Sequence, residues 1–229
     1  MAAVYWHHAV QVCFVCFATH CDRLPAAVNV VCWLSQLLHT LQVLHNAGRV
    51  HRDIRPDNLV FVKDSHNPAT LRLLVIDWAY SCPRNSEELY NGATHFVSPA
   101  VAKHLLDRQL SAACRTFVFT AGDDLYSWLL VCVWMHALHH LTYVFATLER
   151  EYRHDPILAR KQRAIGQVFN RYLESSMWRP LRDAVLRHMG NDRQASSRGE
   201  MLAVEYRDLY EFINIARQED FEFHAGMNG

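Results

Sequence analysis

A chain of 229 residues, half of them apolar, is long enough for one large domain and too hydrophobic to stay disordered. Lysine plus arginine equals aspartate plus glutamate at 23 each, which excludes a basic field for nucleic acid and an acidic tail for a cationic partner. Seven cysteines without a regular framework of spacings, and an opening with no basic-then-apolar leader, predict a reduced, intracellular and cytoplasmic chain.

Residues 1 to 24 have no clear period and read as strand or irregular chain. Within them "CFVCFATHC" offers Cys13, Cys16, His20 and Cys21 as thiolate and imidazole ligands, but a lone C-x-x-C without a second pair at zinc-like spacing is a weak metal signal. Phe14, Val15 and Phe17 between those ligands suit free thiols in an apolar strand. From Asn29 the spacing turns helical, with Val30, Val31, Leu34, Leu38, Leu41 and Leu44 on one face and Gly48 where a C-terminal cap is expected.

That helix leads into "VHRDIRPDN", residues 50 to 58, where a histidine, two arginines and two aspartates stand between apolar runs. "LVFV" at 59 to 62 and "LRLLVI" at 71 to 76 predict a hairpin, with a turn-forming Asn67 and Pro68 between them, that delivers the chain to Asp77. Residues 77 to 100 are rich in Ser, Pro, Gly and Asn and predict a long functional loop. The run from Leu125 to Leu148 has about the length of a membrane span but carries His136, His139 and His140, so it predicts a buried core helix, over 123 to 148, and no membrane span. His136 and His140, one turn apart, are expected to be core residues with polar partners and to hold no metal. Asp123 or Asp124 can cap that helix; Asp155 and Pro156 start another, with Ile165, Val168, Phe169 and Tyr172 on one face. A third is expected from Pro180 to about Gly190 and a fourth from about Gly199 to Arg217, with the polar "GNDRQASSRG" between them as a loop.

The order helix, charged loop, hairpin, aspartate, long loop, buried helix resembles the larger, C-terminal lobe of the eukaryotic protein kinase family. "HRDIRPDN" is similar to the catalytic loop, "VIDWAYS" falls where the family has D-F-G, "GATHFVSPAV" where its activation segment ends in A-P-E, and "DDLYSW" where its central helix begins. The resemblance covers about residues 26 to 215 and is sharpest over 45 to 130. It implies a mainly α fold with a small β-hairpin: a lobe over 26 to 229, with the catalytic loop at 50 to 58, the metal-aspartate motif at 77 to 79 and the activation segment at 77 to 100. Residues 1 to 25 are then a remnant of the hinge or N-terminal lobe.

The function that the resemblance implies is phosphoryl transfer from ATP to a serine or threonine hydroxyl of a protein substrate, a reaction that needs alignment and charge neutralisation more than covalent work. Asp53 would accept or orient the hydroxyl proton, and Asn58 and Asp77 would hold Mg2+ through hard oxygen ligands. Arg55 stands where lysine is usual and would meet the γ-phosphate. Arg52 would pair with a phosphate on the activation segment, where Ser81, Ser86, Tyr90 and Thr94 are available. Asp124 would tie the central helix to the backbone of the catalytic loop, and His51 would be structural.

The sequence also departs from that pattern. The first glycine is Gly48 and the first lysine Lys63, so a glycine-rich loop and its partner lysine are expected to be absent or supplied elsewhere. Ala79 replaces a glycine, Trp78 a phenylalanine, and Ala100 the glutamate of A-P-E, so a buried ion pair that anchors the segment is not expected. Two other readings follow: a non-catalytic scaffold, or fragment of an active kinase, whose helices meet a protein partner; and a small-molecule kinase of the aminoglycoside or choline phosphotransferase type, which "IDW" also resembles.

Overall fold

The computed structural model describes residues 30–63, 71–92, 94–110, 116–153, 158–198 and 206–218. The C-x-x-C stretch, the Asp155–Pro156 helix start and residues 199–205 lie outside them. Helix α1 (Val30–Asn46) buries Leu34, Leu38, Leu41 and Leu44, as its period predicts, together with Trp33 and Leu37, and ends at Gly48, whose positive φ of 72° and N–H hydrogen bond to the His45 carbonyl close the turn. Strand β1 (Arg49–Val50) follows, then the charged loop and the antiparallel hairpin of β2 (Leu59–Lys63) and β3 (Leu71–Val75).

The segment after Asp77 is not a bare loop. It holds β4 (Cys82–Pro83), paired with β1, and β5 (Glu87–Leu89), paired with β6 (Thr116–Val118), which lies beyond helix α2 (Pro99–Leu110). The result is a mainly helical fold with three small antiparallel sheets.

The apolar run expected as one buried helix over 123 to 148 is two. Helix α3 (Ala121–His136) and α4 (Leu138–Glu151) meet at Ala137 with a bend of 108°. Every residue of α3 from Ala121 to Val133 is buried, whereas α4 leaves Tyr143 and Glu149 in solvent and buries Leu141. The apolar-all-round pattern thus ends near His136, and the remainder is amphipathic. Among the described residues no single helix is long and apolar enough to cross a membrane.

Helix α5 (Leu158–Leu173) turns Ile165 and Phe169 into the core. Helix α6 (Arg179–Ser197) does not stop at Gly190 but continues through the polar stretch expected to be a loop, because that stretch has buried work: Asp192 is ion-paired with Arg84 and accepts from the Gly122 amide, and Ala195 is buried. Gly122 lets α3 and α6 touch; a Cβ there would lie 2.6 Å from the Met189 Cα. Helix α7 (Arg207–Gln218) begins later than expected and packs Leu209 and Ile213 against the core.

Two clusters of buried apolar side chains result. The larger joins α1, the hairpin, α3, α4, α5, α6 and α7; the smaller gathers Val50, Cys82, Tyr90, Val101, Leu105 and Phe119 beneath the segment after Asp77.

Candidate active site

The charged loop sits between the larger core and the hairpin. Pro56–Asn58 form one 3-10 turn, with proline at its first position, that runs directly into β2. The Asn58 amide nitrogen donates to both the Asp53 carbonyl and Asp53 Oδ2, each at 2.8 Å, and both side chains are about 5% exposed or less. Arg55 Nε lies 3.4 Å from Asp53 Oδ2 and its Nη1 3.2 Å from Asp57 Oδ2. A carboxylate so held has a fixed direction, which a group that orients a nucleophile requires.

Asp77 reaches the same place through the hairpin. Leu59 pairs with Val75, and the Ile76 amide donates to the Asn58 carbonyl at 2.9 Å, so the next residue lies beside the loop. Asp77 adopts a left-handed φ of 61°, is exposed, and makes no capping bond to the turn Trp78–Tyr80 behind it. Aspartate tolerates that region better than most residues, and Asn85 adopts it as well, at φ 64°. Ala79 lies inside that 3-10 turn, so no glycine is needed there. Trp78 packs edge-on against His51 and donates its indole N–H to the Val75 carbonyl at 3.0 Å.

From behind, Asp124 holds the loop. Its carboxylate accepts from the His51 amide at 2.6 Å, the Arg52 amide at 2.9 Å and His45 Nε2 at 3.0 Å, while His45 Nδ1 meets the Tyr206 hydroxyl. Burial acts to raise this carboxyl, but the hydrogen bond and charge of His45, with the His51 contacts, outweigh it and hold Asp124 below the usual aspartate range. His51 is fully buried, with Nε2 3.2 Å from the Ile76 carbonyl, which joins the loop to the hairpin.

Asp123 works in the other direction. Its Oδ2 accepts from the Thr120 amide and hydroxyl at 3.0 Å, capping α3, and its Oδ1 accepts from Ser98 Oγ at 2.5 Å and Arg193 Nη2 at 2.6 Å. Burial dominates here and pushes the carboxyl up, against Arg193, Ser98 and Thr120. The sequence reading missed this anchor: with Ala100 in place of glutamate, Ser98 ties the end of the segment to α3. No local pattern announces it, since Ser98 and Arg193 are far apart in the chain.

Arg52 reaches the segment after Asp77 through that segment's backbone. Its Nη1 donates to the Tyr80 carbonyl at 3.0 Å, its Nη2 to the Leu89 carbonyl, and its guanidinium lies over the Phe119 ring. Of the four residues proposed to carry a phosphate, Tyr90 is buried, stacked on Phe119, with burial pushing its hydroxyl strongly up, and Ser86 Oγ bonds the Pro83 carbonyl. His136 packs edge-on against Trp178, and His140 meets the Tyr172 hydroxyl. Among the described residues no three of His, Cys, Asp and Glu are grouped so as to hold a metal, and Cys82 and Cys132 are in no disulfide.

A magnesium–nucleotide pair fits the donor set by chemistry. Asn58 gives its nitrogen to Asp53, which leaves its amide oxygen as the coordinating end, and Asp77 offers an exposed carboxylate; both are hard oxygen donors.

No protein-family model matches the chain. Among curated proteins it is 31% identical over 97 residues to the mouse (Mus musculus) ribosomal protein S6 kinase alpha-2, covering 42% of this chain and 13% of that one. The match to the human (Homo sapiens) ribosomal protein S6 kinase alpha-3 has the same identity and coverage, and the human ribosomal protein S6 kinase alpha-1 is 35% identical over 75 residues, 30% of this chain and 10% of that one. The chain thus spans about an eighth of the length of the curated relatives it matches. Among solved structures, the Cydia pomonella granulovirus kinase PK-1 overlays 49% of this chain and 38% of its own at a TM-score of 0.33 and 18% identity.

Proposed function

We propose, from the premise that this is a protein kinase-like domain, that its loop transfers the γ-phosphoryl group of ATP to a serine or threonine hydroxyl of a protein substrate inside the cell. The observation that carries the reading is the Asp53–Asn58 pair, buried and mutually bonded, next to an exposed, uncapped Asp77 in left-handed backbone. Asp53 orients the hydroxyl and receives its proton; Asn58 holds Asp53 and turns its oxygen to the metal; Asp77 is the second oxygen donor. Arg55, already steering Asp53 and Asp57, supplies fixed positive charge to the transferred group. Mg2+, when bound with ATP, neutralises the phosphate charge that would repel these carboxylates.

The test is the melting temperature with and without saturating Mg2+ and ATP, against Asp77→Ala, compared with its own ligand-free value because alanine in a left-handed backbone costs stability by itself. A ligand that binds only the folded state at about a hundred times its Kd raises stability by about 2.7 kcal/mol, a rise of roughly 5–10 °C for a chain of this size. The rise should vanish in Asp77→Ala, and transfer to protein hydroxyls should fall about a hundredfold or more in Asp53→Asn. A folded chain with no rise would overturn the reading in favour of a lobe that offers its helices to a protein partner.

A further inference from the structure

We propose that β6 and the Phe119 that follows it are a built-in clamp: the Phe119 ring covers the guanidinium of Arg52, so that the segment after Asp77 is ordered with no phosphate on it. The proposal deepens the reading above, taking Arg52 as part of its catalytic loop, but it stands on a separate set of contacts.

Arginine beside a catalytic aspartate is expected to wait for an anion, because five N–H donors on a charged plane are costly to leave unpaired. Here two of its nitrogens are taken by carbonyls of the segment itself, Tyr80 and Leu89, and its plane is covered by a ring whose centroid is 4.2 Å away. Nε has no acceptor among the described residues. Leu89 lies in β5 and is paired with Thr116 of β6, so the strand that provides the carbonyl is hydrogen-bonded to the strand that leads to the ring.

The sequence "TFVFT" builds the clamp by alternation. Phe117 and Phe119, two residues apart, point the same way and meet edge-to-face at 4.9 Å. Arg52 of the catalytic loop lies over one ring and Arg193 of α6 over the other at 4.8 Å. Tyr90 stacks on Phe119 from the segment, and Val50, Cys82, Val101 and Leu105 complete the small core around them. Two of the five donors are thus spent on carbonyls of the segment and one face of the plane on the Phe119 ring, which supplies part of what a phosphate would otherwise supply. Phe119 is therefore a positioning residue: it acts on Asp53 only through Arg52, and the extra pairing of β5 with β6 stands where an added charge would otherwise order the segment.

The experiment is hydrogen exchange on the full chain, treated with phosphatase and shown by mass to be unphosphorylated, for wild type, Phe119→Leu and Phe119→Tyr; it needs no nucleotide, so it can fail or succeed apart from the kinase reading. Wild type should protect the β5 and β6 amides and residues 49–54, and saturating inorganic phosphate should leave that protection unchanged. Phe119→Leu keeps apolar volume without a π face and should speed exchange at 49–54 and 87–90 roughly tenfold, with α3 unaffected and Phe119→Tyr close to wild type. Unprotected β5 and β6 amides in the unphosphorylated chain, added protection at 49–54 from phosphate, or Phe119→Leu within twofold of wild type would each overturn the clamp. If Phe119→Leu loosens α3 as well, the wild-type comparison with and without phosphate decides alone.

Discussion

Asp123 and Asp124 are neighbours at the start of α3, both buried, and they serve opposite sides of the site. Asp124 reaches forward to the backbone of the charged loop and finds N–H donors and a histidine; Asp123 reaches to Ser98, at the end of the segment after Asp77, and finds two hydroxyls, an amide and an arginine. Consecutive residues on a helix point about 100° apart, so one turn of backbone can fasten two separate loops. The two carboxyls nevertheless shift in opposite senses, Asp124 down and Asp123 up. Burial alone does not set the charge state; what decides is whether the donors suffice to outweigh it.

The largest effect should come from removing the better-satisfied partner. Asp124→Ala leaves two buried backbone N–H groups and His45 without an acceptor, and His45 then faces only Tyr206. Breaking a buried, hydrogen-bonded charge costs about 3–5 kcal/mol, read as a fall in the urea midpoint at unchanged slope. A loss below about 1 kcal/mol would mean that the loop is held from the hairpin side, through His51 and the Ile76 carbonyl.

Acid titration sharpens the contrast. A carboxyl held below its unfolded value of 3.8 contributes stability that is present above that value and is lost as pH falls through the folded one; this is Asp124. A raised carboxyl binds its proton more tightly in the folded state, so the fold loses stability as pH rises from 3.8 through the folded value; this is Asp123. Between about pH 3 and 7, Asp124→Asn should therefore flatten the rise of unfolding free energy with pH, and Asp123→Asn should steepen it. Denaturant midpoints across that range check the pair, and a change of the same sign in both variants would break the comparison.

The sequence made Asp124's side of the site legible and Asp123's side largely not. Helix α1, its glycine cap and the hairpin are short-range patterns, and with the charged loop between them they carry Asp53, Asn58 and Asp77 to one place. The contacts of Asp123 are long-range: Arg193 lies in a polar stretch that looks like a loop because its burial depends on Asp192 meeting Arg84, more than a hundred residues earlier. The same holds for β6, whose three residues gain meaning only from pairing with β5, and for the break at Ala137, where an apolar run hides a change from an all-round buried helix to an amphipathic one.

Ser98 gives the smallest and most discriminating test, because it holds both ends of the Asp123 contact. Its hydroxyl donates to Asp123 at 2.5 Å and its oxygen accepts from the Val101 amide at 3.2 Å, the N-cap bond of α2. Ser98→Ala removes one donor from a carboxyl that keeps Arg193 and Thr120, so the expected cost at neutral pH is about 1–2 kcal/mol. Part of that is the cap, which does not titrate. The rest belongs to the charged carboxylate and should fade as Asp123 takes up its proton, since a neutral acid needs fewer donors. Ser98→Ala should thus be less costly in acid than at neutral pH; a cost that stays constant would assign Ser98 to the cap of α2 alone and leave Arg193 as the whole of the anchor.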